Sequence, residues 1–327
     1  MGTQVDTSWH LRVSLLPQCN FRCRYCNPKR IFEYSDVLSV EEILEIVRAA
    51  VKNGIQRVHW TGGEPCLKDV VSIFQRCRDM GIVEQVMTTN GSLRVDEIPE
   101  MAKAGLVRVN VSLDTLDSEK NRKITGCDFF ESTNQWITAA CEIFQKPTKV
   151  NIVPMRDNIV DVSDFVRFAE QFQGKLMLKF IELCPNNPAF YDTNIGNFHV
   201  PREAIIAELE KCGYLYATSA TGDNPNAEYY KIGETGVVAI LVTMPSQGYK
   251  CGLGKCRKMR VSPFGVVGSC IQQEGVCIKG ASLEEKVRAI RNLIELREGY
   301  PDTPPVARHH FRSDFGFWRF GKVIKEG

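Results

Sequence analysis

From Leu11 to Leu183 the chain alternates strand-like and helix-like segments. Strand-like runs at 11–16, 56–60, 84–88, 107–113, 149–154 and 176–183 are separated by segments with apolar residues at helical spacing, at 41–52, 70–80, 98–103, 134–144 and 162–172. Strands joined through crossover helices run parallel, so the pattern predicts an α/β fold, a partial (β/α)6 barrel of the TIM type. The polar motifs fall in loops that follow the strands, where parallel α/β barrels place their chemistry. After about residue 200 the pattern changes. A helix over 203–211, short strands at 229–232, 237–243, 258–261 and 265–269, and a helix over 283–297 predict a small C-terminal α+β extension. The expected division is a barrel over 8–200, an extension over 201–300 and a tail over 301–327.

Cysteine is the unusual component, at 13 of 327 residues. An odd number excludes complete intrachain disulfide pairing. The start of the chain shows no basic segment followed by an apolar one, so a reducing, cytoplasmic setting is expected, where cysteines serve as metal ligands or reactive thiols. With 41 Lys+Arg against 39 Asp+Glu, the formal charge of +2 argues against a nucleic-acid clamp or a membrane-surface binder. No apolar run approaches the roughly 20 residues of a membrane-spanning helix.

Cys19, Cys23 and Cys26 form a C-x3-C-x2-C cluster directly after the first strand. Three thiols from one loop can hold a single metal centre. Zinc wants four ligands, or three with an open position, and an iron–sulfur cluster is the other soft-ligand choice. Cys251, Cys256, Cys270 and Cys277 form a looser second group. Either the first three hold a cluster with one iron open, or Cys277 completes four ligands. A zinc site is also compatible with that spacing.

The C-x3-C-x2-C cluster, with Tyr25 before its last cysteine, and Thr61-Gly62-Gly63-Glu64-Pro65 after the second strand resemble the radical S-adenosylmethionine (SAM) superfamily. Further segments resemble its GTP 3′,8-cyclase family from about residue 8 to about residue 300. They are Arg12-Val13-Ser14, Thr88-Thr89-Asn90-Gly91, Arg108 to Asp114, Ile124-Thr125-Gly126, Lys149-Val150-Asn151 and Phe180 to Leu183. The resemblance implies a [4Fe–4S] cluster on Cys19, Cys23 and Cys26, with SAM bound to its open iron and contacted by Tyr25, Gly62, Gly63, Glu64 and Ser112. It implies reductive cleavage of SAM to a 5′-deoxyadenosyl radical that takes a hydrogen atom from the substrate. It also implies an auxiliary [4Fe–4S] cluster on the second cysteine group and a flavodoxin- or ferredoxin-type electron donor. Arg12, His59, Thr88, Lys149, Lys179, Lys258 and Arg260 fall at substrate-binding positions of that family.

The chain departs from the family pattern at several points. His59 and Lys179 stand where the family has arginines, Cys184 where it has a methionine, and Cys251-x4-Cys256 has a longer spacer. The end, Lys325-Glu326-Gly327, lacks the family's Gly-Gly pair. These departures lead to an expectation of a nucleotide-like substrate other than GTP. The alternative is a sugar or aminoglycoside epimerase or dehydrogenase, with Cys184 as hydrogen-atom donor. A non-catalytic iron–sulfur or zinc protein is the third reading, against which Gly63, Glu64 and Ser112 stand.

Overall fold

The computed structural model describes residues 9–26, 36–183, 198–218, 227–242, 256–269 and 275–299. Its first half is a run of strands and covering helices. These are β1 (His10–Ser14), α1 (Val40–Lys52), β2 (Arg57–Thr61), α2 (Val70–Asp79), β3 (Glu84–Thr89), α3 (Ile98–Lys103), β4 (Leu106–Ser112), α4 (Ser118–Thr125), α5 (Phe130–Ile143), β5 (Thr148–Ile152), α6 (Val162–Glu170) and β6 (Leu176–Ile181). The second half comprises α7 (Arg202–Glu210), β7 (Leu215–Ala217), β8 (Ala227–Ile232), β9 (Val238–Val242), β10 (Lys258–Val261), β11 (Val266–Gly268), β12 (Val276–Cys277) and α8 (Leu283–Glu298).

β1 to β6 pair in sequence order, and every one of those pairings is parallel. A monotonic order with right-handed crossovers puts the connecting helices on one face of the sheet. The helix contacts follow that layer: α8 packs on α1, α1 on α2, α2 on α3, α3 on α5, and α6 on α7. Leu11, Val13, Val58, Trp60, Val109, Val111, Val150 and Leu178 point into the layer and are buried. Burying a side chain of that size contributes roughly 1.5–3 kcal/mol. The strand period of two then turns the intervening residues, many of them polar, to the opposite face.

The region after residue 200 does not form a separate layer. β9 joins β6 and β10 joins β1, both in parallel, so the extension lengthens the same sheet at its two edges. β8 and β11 return antiparallel as expected of hairpins. The whole is a mostly parallel sheet in the order β12-β11-β10-β1-β2-β3-β4-β5-β6-β9-β8-β7.

Three elements were not anticipated: α4, β7 and β12. α4 is short and polar, so it has no apolar stripe. Asp117, whose side chain accepts from Lys120 N–H, and Gly126 in the left-handed conformation define its ends. α5 begins at Phe130 rather than near 134. Among the described residues no helix is long and apolar enough to cross a membrane.

Candidate active site

The loop after β1 carries Cys19, Cys23 and Cys26, and backbone contacts hold it from two sides. On one side Gly63 N–H donates to Leu16 O and Glu64 N–H to Gln18 O, both at 2.8 Å. On the other, Arg22 N–H donates to Thr125 O at 2.8 Å and Arg24 N–H to Ile124 O at 3.0 Å. The first contact explains the glycines. Gly62 has φ +152°, and a Cβ there would lie 2.6 Å from Leu16 O. A Cβ on Gly63 would lie 1.8 Å from Gln18 O. Only residues without a side chain let the two loops approach this closely.

Glu64 is buried and fully engaged. Its Oε1 accepts from Cys66 N–H at 3.0 Å and from the Thr89 hydroxyl at 2.7 Å, and its Oε2 accepts from Asn90 N–H at 2.7 Å. It therefore locks the loop after β2 to the loop after β3. That work within the fold was not visible in the motif. Asn90 Nδ2 in turn donates to Asn20 Oδ1 at 2.9 Å inside the cysteine loop. Tyr25 donates its hydroxyl to Asp114 at 2.7 Å, beyond Ser112 at the end of β4.

The three thiols are electrostatic neighbours. Burial raises the Cys19 thiol to about 11, and burial with the charges of Asp114, Cys26 and Cys19 pushes Cys23 well above the ordinary range. Without a cation the thiolates are disfavoured, and a bound cationic centre would reverse that balance. The described residues hold no set of three side chains already gathered at metal-binding distance.

The polar face of the sheet gathers all seven candidate substrate residues. Arg12 on β1 lies beside Arg260 on β10 and His59 on β2 in the strand register, and His10 lies beside Lys258. His59 Nε2 is 2.7 Å from the Thr88 hydroxyl. Lys149 Nζ stands 5.8 Å from the Tyr229 ring centroid, and Lys179 pairs in register with Asn151. This crowding is costly. Burial and then Arg260 lower the Arg12 guanidinium to about 10. Burial, Arg12, Lys149, Lys258 and Arg108 lower Lys179 to about 7. Burial with Arg12, Lys179, His10 and Arg108 keeps His59 neutral, well below its usual range. Uncompensated buried cations are unfavourable unless an anion joins them. His10, Arg108, Asn110, Asn151 and Tyr229 share this face and were not singled out. Strand alternation starting from the named residues would have found the first four.

The second cysteine group is only partly described. Cys251, Cys270 and the hydrogen-donor candidate Cys184 lie outside the described residues. Cys256 precedes β10, and Arg257 O accepts from His10 N–H at 2.9 Å. This places Cys256 at the end of the sheet opposite the loop of Cys19, Cys23 and Cys26, with the cationic residues between. Cys277 is elsewhere. It pairs with Val266 beside the β10–β11 turn, where Ser262 N–H bonds Val266 O. From Cys256 to that level is about 20 Å at roughly 3.3 Å per residue. Cys277 and Cys256 therefore stand at different levels of the β10–β11 hairpin.

A sequence model of the radical SAM superfamily matches residues 13–169. The GTP 3′,8-cyclase of Desulforamulus reducens is 30% identical over 97% of this chain and 96% of that protein. The GTP 3′,8-cyclase of Moorella thermoacetica is 33% identical over 91% and 88%. The chain is a radical SAM protein of the GTP 3′,8-cyclase family. Its fold is that of other radical SAM proteins. The structure of SuiB from Streptococcus suis bound to S-adenosylmethionine has a TM-score of 0.58 at 17% identity, over 89% of this chain and 66% of that one. The structure of anSMEcpe with bound AdoMet has a TM-score of 0.55 at 15% identity, over 88% and 83%. For this radical SAM protein the family implies a [4Fe–4S] cluster and SAM. The donor set fits them: three thiols on one loop are soft ligands suited to an iron–sulfur centre, and the glycine turn presents bare backbone beside them.

Proposed function

We propose that this radical SAM protein acts on a small, anionic, nucleotide-like substrate held over the polar face of a partial barrel, and cyclises or rearranges it. The observation that carries this reading is the convergence of Arg12, Lys149, Lys179, Lys258 and Arg260 on that face, around neutral His59 and Thr88. Bound at Cys19, Cys23 and Cys26, the cluster and SAM would supply a one-electron cleavage that generates the hydrogen-abstracting radical. The chain's own residues do the rest. Gly62, Gly63 and Ser112 would receive SAM beside the cluster, and Tyr25 would contact its adenine. The cations would neutralise and orient the anionic end of the substrate. Glu64 holds the loops that form this cradle.

A second cluster on Cys251, Cys256 and Cys270 would stand at the opposite end of the sheet, with the substrate between the two centres. A flavodoxin- or ferredoxin-type protein would deliver the electron, in the cytoplasm. The departures at His59 and Lys179 support a substrate other than GTP. Cys184, next in sequence after the loop that follows β6, supports a second reading, in which a thiol quenches a substrate radical in a sugar epimerisation.

Anaerobic reconstitution, reduction and measurement of 5′-deoxyadenosine with and without candidate nucleotides test the proposal. Nucleotide-stimulated 5′-deoxyadenosine with a changed ring count supports it. Solvent deuterium at one inverted carbon, lost in Cys184→Ala, supports the epimerase instead. No SAM cleavage under any condition would sink both.

A further inference from the structure

Arg94, in the loop after β3, has φ 59° and ψ 33°. That is the left-handed region, which glycine enters freely and a long side chain enters at a cost. Residues held there by their surroundings cluster at ligand clamps. The Arg94 side chain shows what holds it. Its Nε donates to Cys66 O at 2.7 Å, and its Nη1 donates to the two Glu97 carboxylate oxygens at 2.7 and 2.9 Å. A glycine would suit the backbone better but would make neither contact. The side chain is 31% exposed, so it works from the rim and fills no core space.

Cys66 closes the turn that begins at Gly62. It is buried, and both of its backbone polar groups are engaged. Its N–H donates to Glu64 Oε1, and its carbonyl accepts from Arg94. The near part of the turn is fixed to the cysteine loop by Gly63 N–H on Leu16 O and Glu64 N–H on Gln18 O. The Glu64 carboxylate binds its middle to Thr89 and Asn90. Arg94 reaches past these bonds to the far end. A bond from a charged guanidinium, itself held by a carboxylate, is of the stronger and better oriented kind.

We propose that Arg94 is a positioning residue for SAM: its left-handed backbone aims the guanidinium at Cys66 O, and that bond holds the turn over 62–66 in the shape that receives the ligand. The inference rests on the reading of Gly62 and Gly63 as part of the SAM site. Arg94 acts through Cys66, so it should govern how well SAM is bound and not how fast bound SAM is cleaved.

SAM-binding isotherms on the anaerobically reconstituted, unreduced full chain test this, together with the SAM dependence of 5′-deoxyadenosine release under reduction. Arg94→Gly removes the side chain and relaxes the backbone. It should weaken SAM binding and raise KM for SAM about tenfold, with kcat within about twofold of the parent. Because the relaxed backbone offsets the lost bonds, its melting temperature and iron content should match the parent's. Arg94→Lys keeps a cationic donor but loses the fork that joins Cys66 to Glu97. It should recover affinity to within about threefold of the parent. Parental SAM affinity in Arg94→Gly overturns the proposal. A fall in its melting temperature or iron content shows a structural role and overturns it too, as does a fall in kcat with KM unchanged. Gly63→Ala separates this inference from the reading beneath it. If that variant binds SAM as the parent does, the turn is not the SAM site. If it loses SAM while the Arg94 variants keep it, only the role of Arg94 falls.

Discussion

The Tyr25 hydroxyl donates to Oδ2 of Asp114 at 2.7 Å, while Oδ1 of the same carboxylate accepts Val153 N–H at 2.8 Å. One buried side chain thus ties the cysteine loop to the ends of β4 and β5. Burial raises the Asp114 carboxyl to about 6 despite these two donors. Tyr25→Phe removes the hydroxyl and leaves Oδ2 without that donor. We expect a loss of about 1–3 kcal/mol in urea denaturation and less iron retained per chain after desalting. A variant with parental stability and iron content would show that the loop is held without this bond.

Gly63→Ala places a methyl group where Gln18 O already stands, 1.8 Å away. The obstacle is backbone, so it cannot swing aside, and the two loop–loop bonds at Leu16 and Gln18 must part. The expected cost is about 3 kcal/mol, with loss of both iron and SAM binding. An anaerobic iron assay and a SAM-binding isotherm on the variant decide the matter, and intact binding in both would refute the argument.

Glu64→Gln keeps the shape of the side chain but replaces one acceptor oxygen with a donor. Cys66 N–H, the Thr89 hydroxyl and Asn90 N–H all point toward that carboxylate, so the new NH2 must face at least one of them. The loops after β2 and β3 should loosen by about 1–3 kcal/mol, read as faster hydrogen exchange at the Cys66 and Asn90 amides. Unchanged exchange at both amides would count against the role assigned to Glu64.

Lys179 predicts a pH signature. Its ammonium is lowered from the ordinary 10.5 to about 7, by burial first and then by Arg12 and Lys149. Between these values the unfolded chain binds a proton that the folded chain does not, so this group's contribution to stability rises with pH from about 7 to about 10.5. Below about 7 the penalty for holding the charge is fully present. Lys179→Met should therefore melt higher than the parent at pH 6, and the gap should shrink as pH rises toward 10. In the parent, tripolyphosphate affinity should fall as pH rises through about 7, and Lys179→Met should abolish that step. A melting gap independent of pH would contradict the assignment.

Much of this was legible in the chain itself. The alternation of strands and helices placed β1 to β6, and α3 fell at 98–103 as expected. The cysteine loop and the glycine turn are local, since their residues lie within a few positions of one another and their spacing survives any packing. Other features were hidden for physical reasons. Glu64 reads as part of a motif, yet its three donors come from two loops. Asn110 and Asn151 look like ordinary polar strand residues, because burial belongs to the assembled sheet. Cys277 lies close in sequence to Cys270, but the β11–β12 pairing carries it to the turn end of the hairpin.

The sequence by itself determined the α/β class, the thiol set after β1 and the glycines beside it, because short-range covalent spacing and strand periodicity encode them. Only the tertiary structure decided that Arg12 lies beside Arg260. It also decided that the extension belongs to the same sheet, and that Cys256 stands at the opposite end from Cys19. Those relations depend on strand pairing across more than two hundred residues of chain, and long-range pairing is settled by the collective burial of both partners rather than by any local pattern.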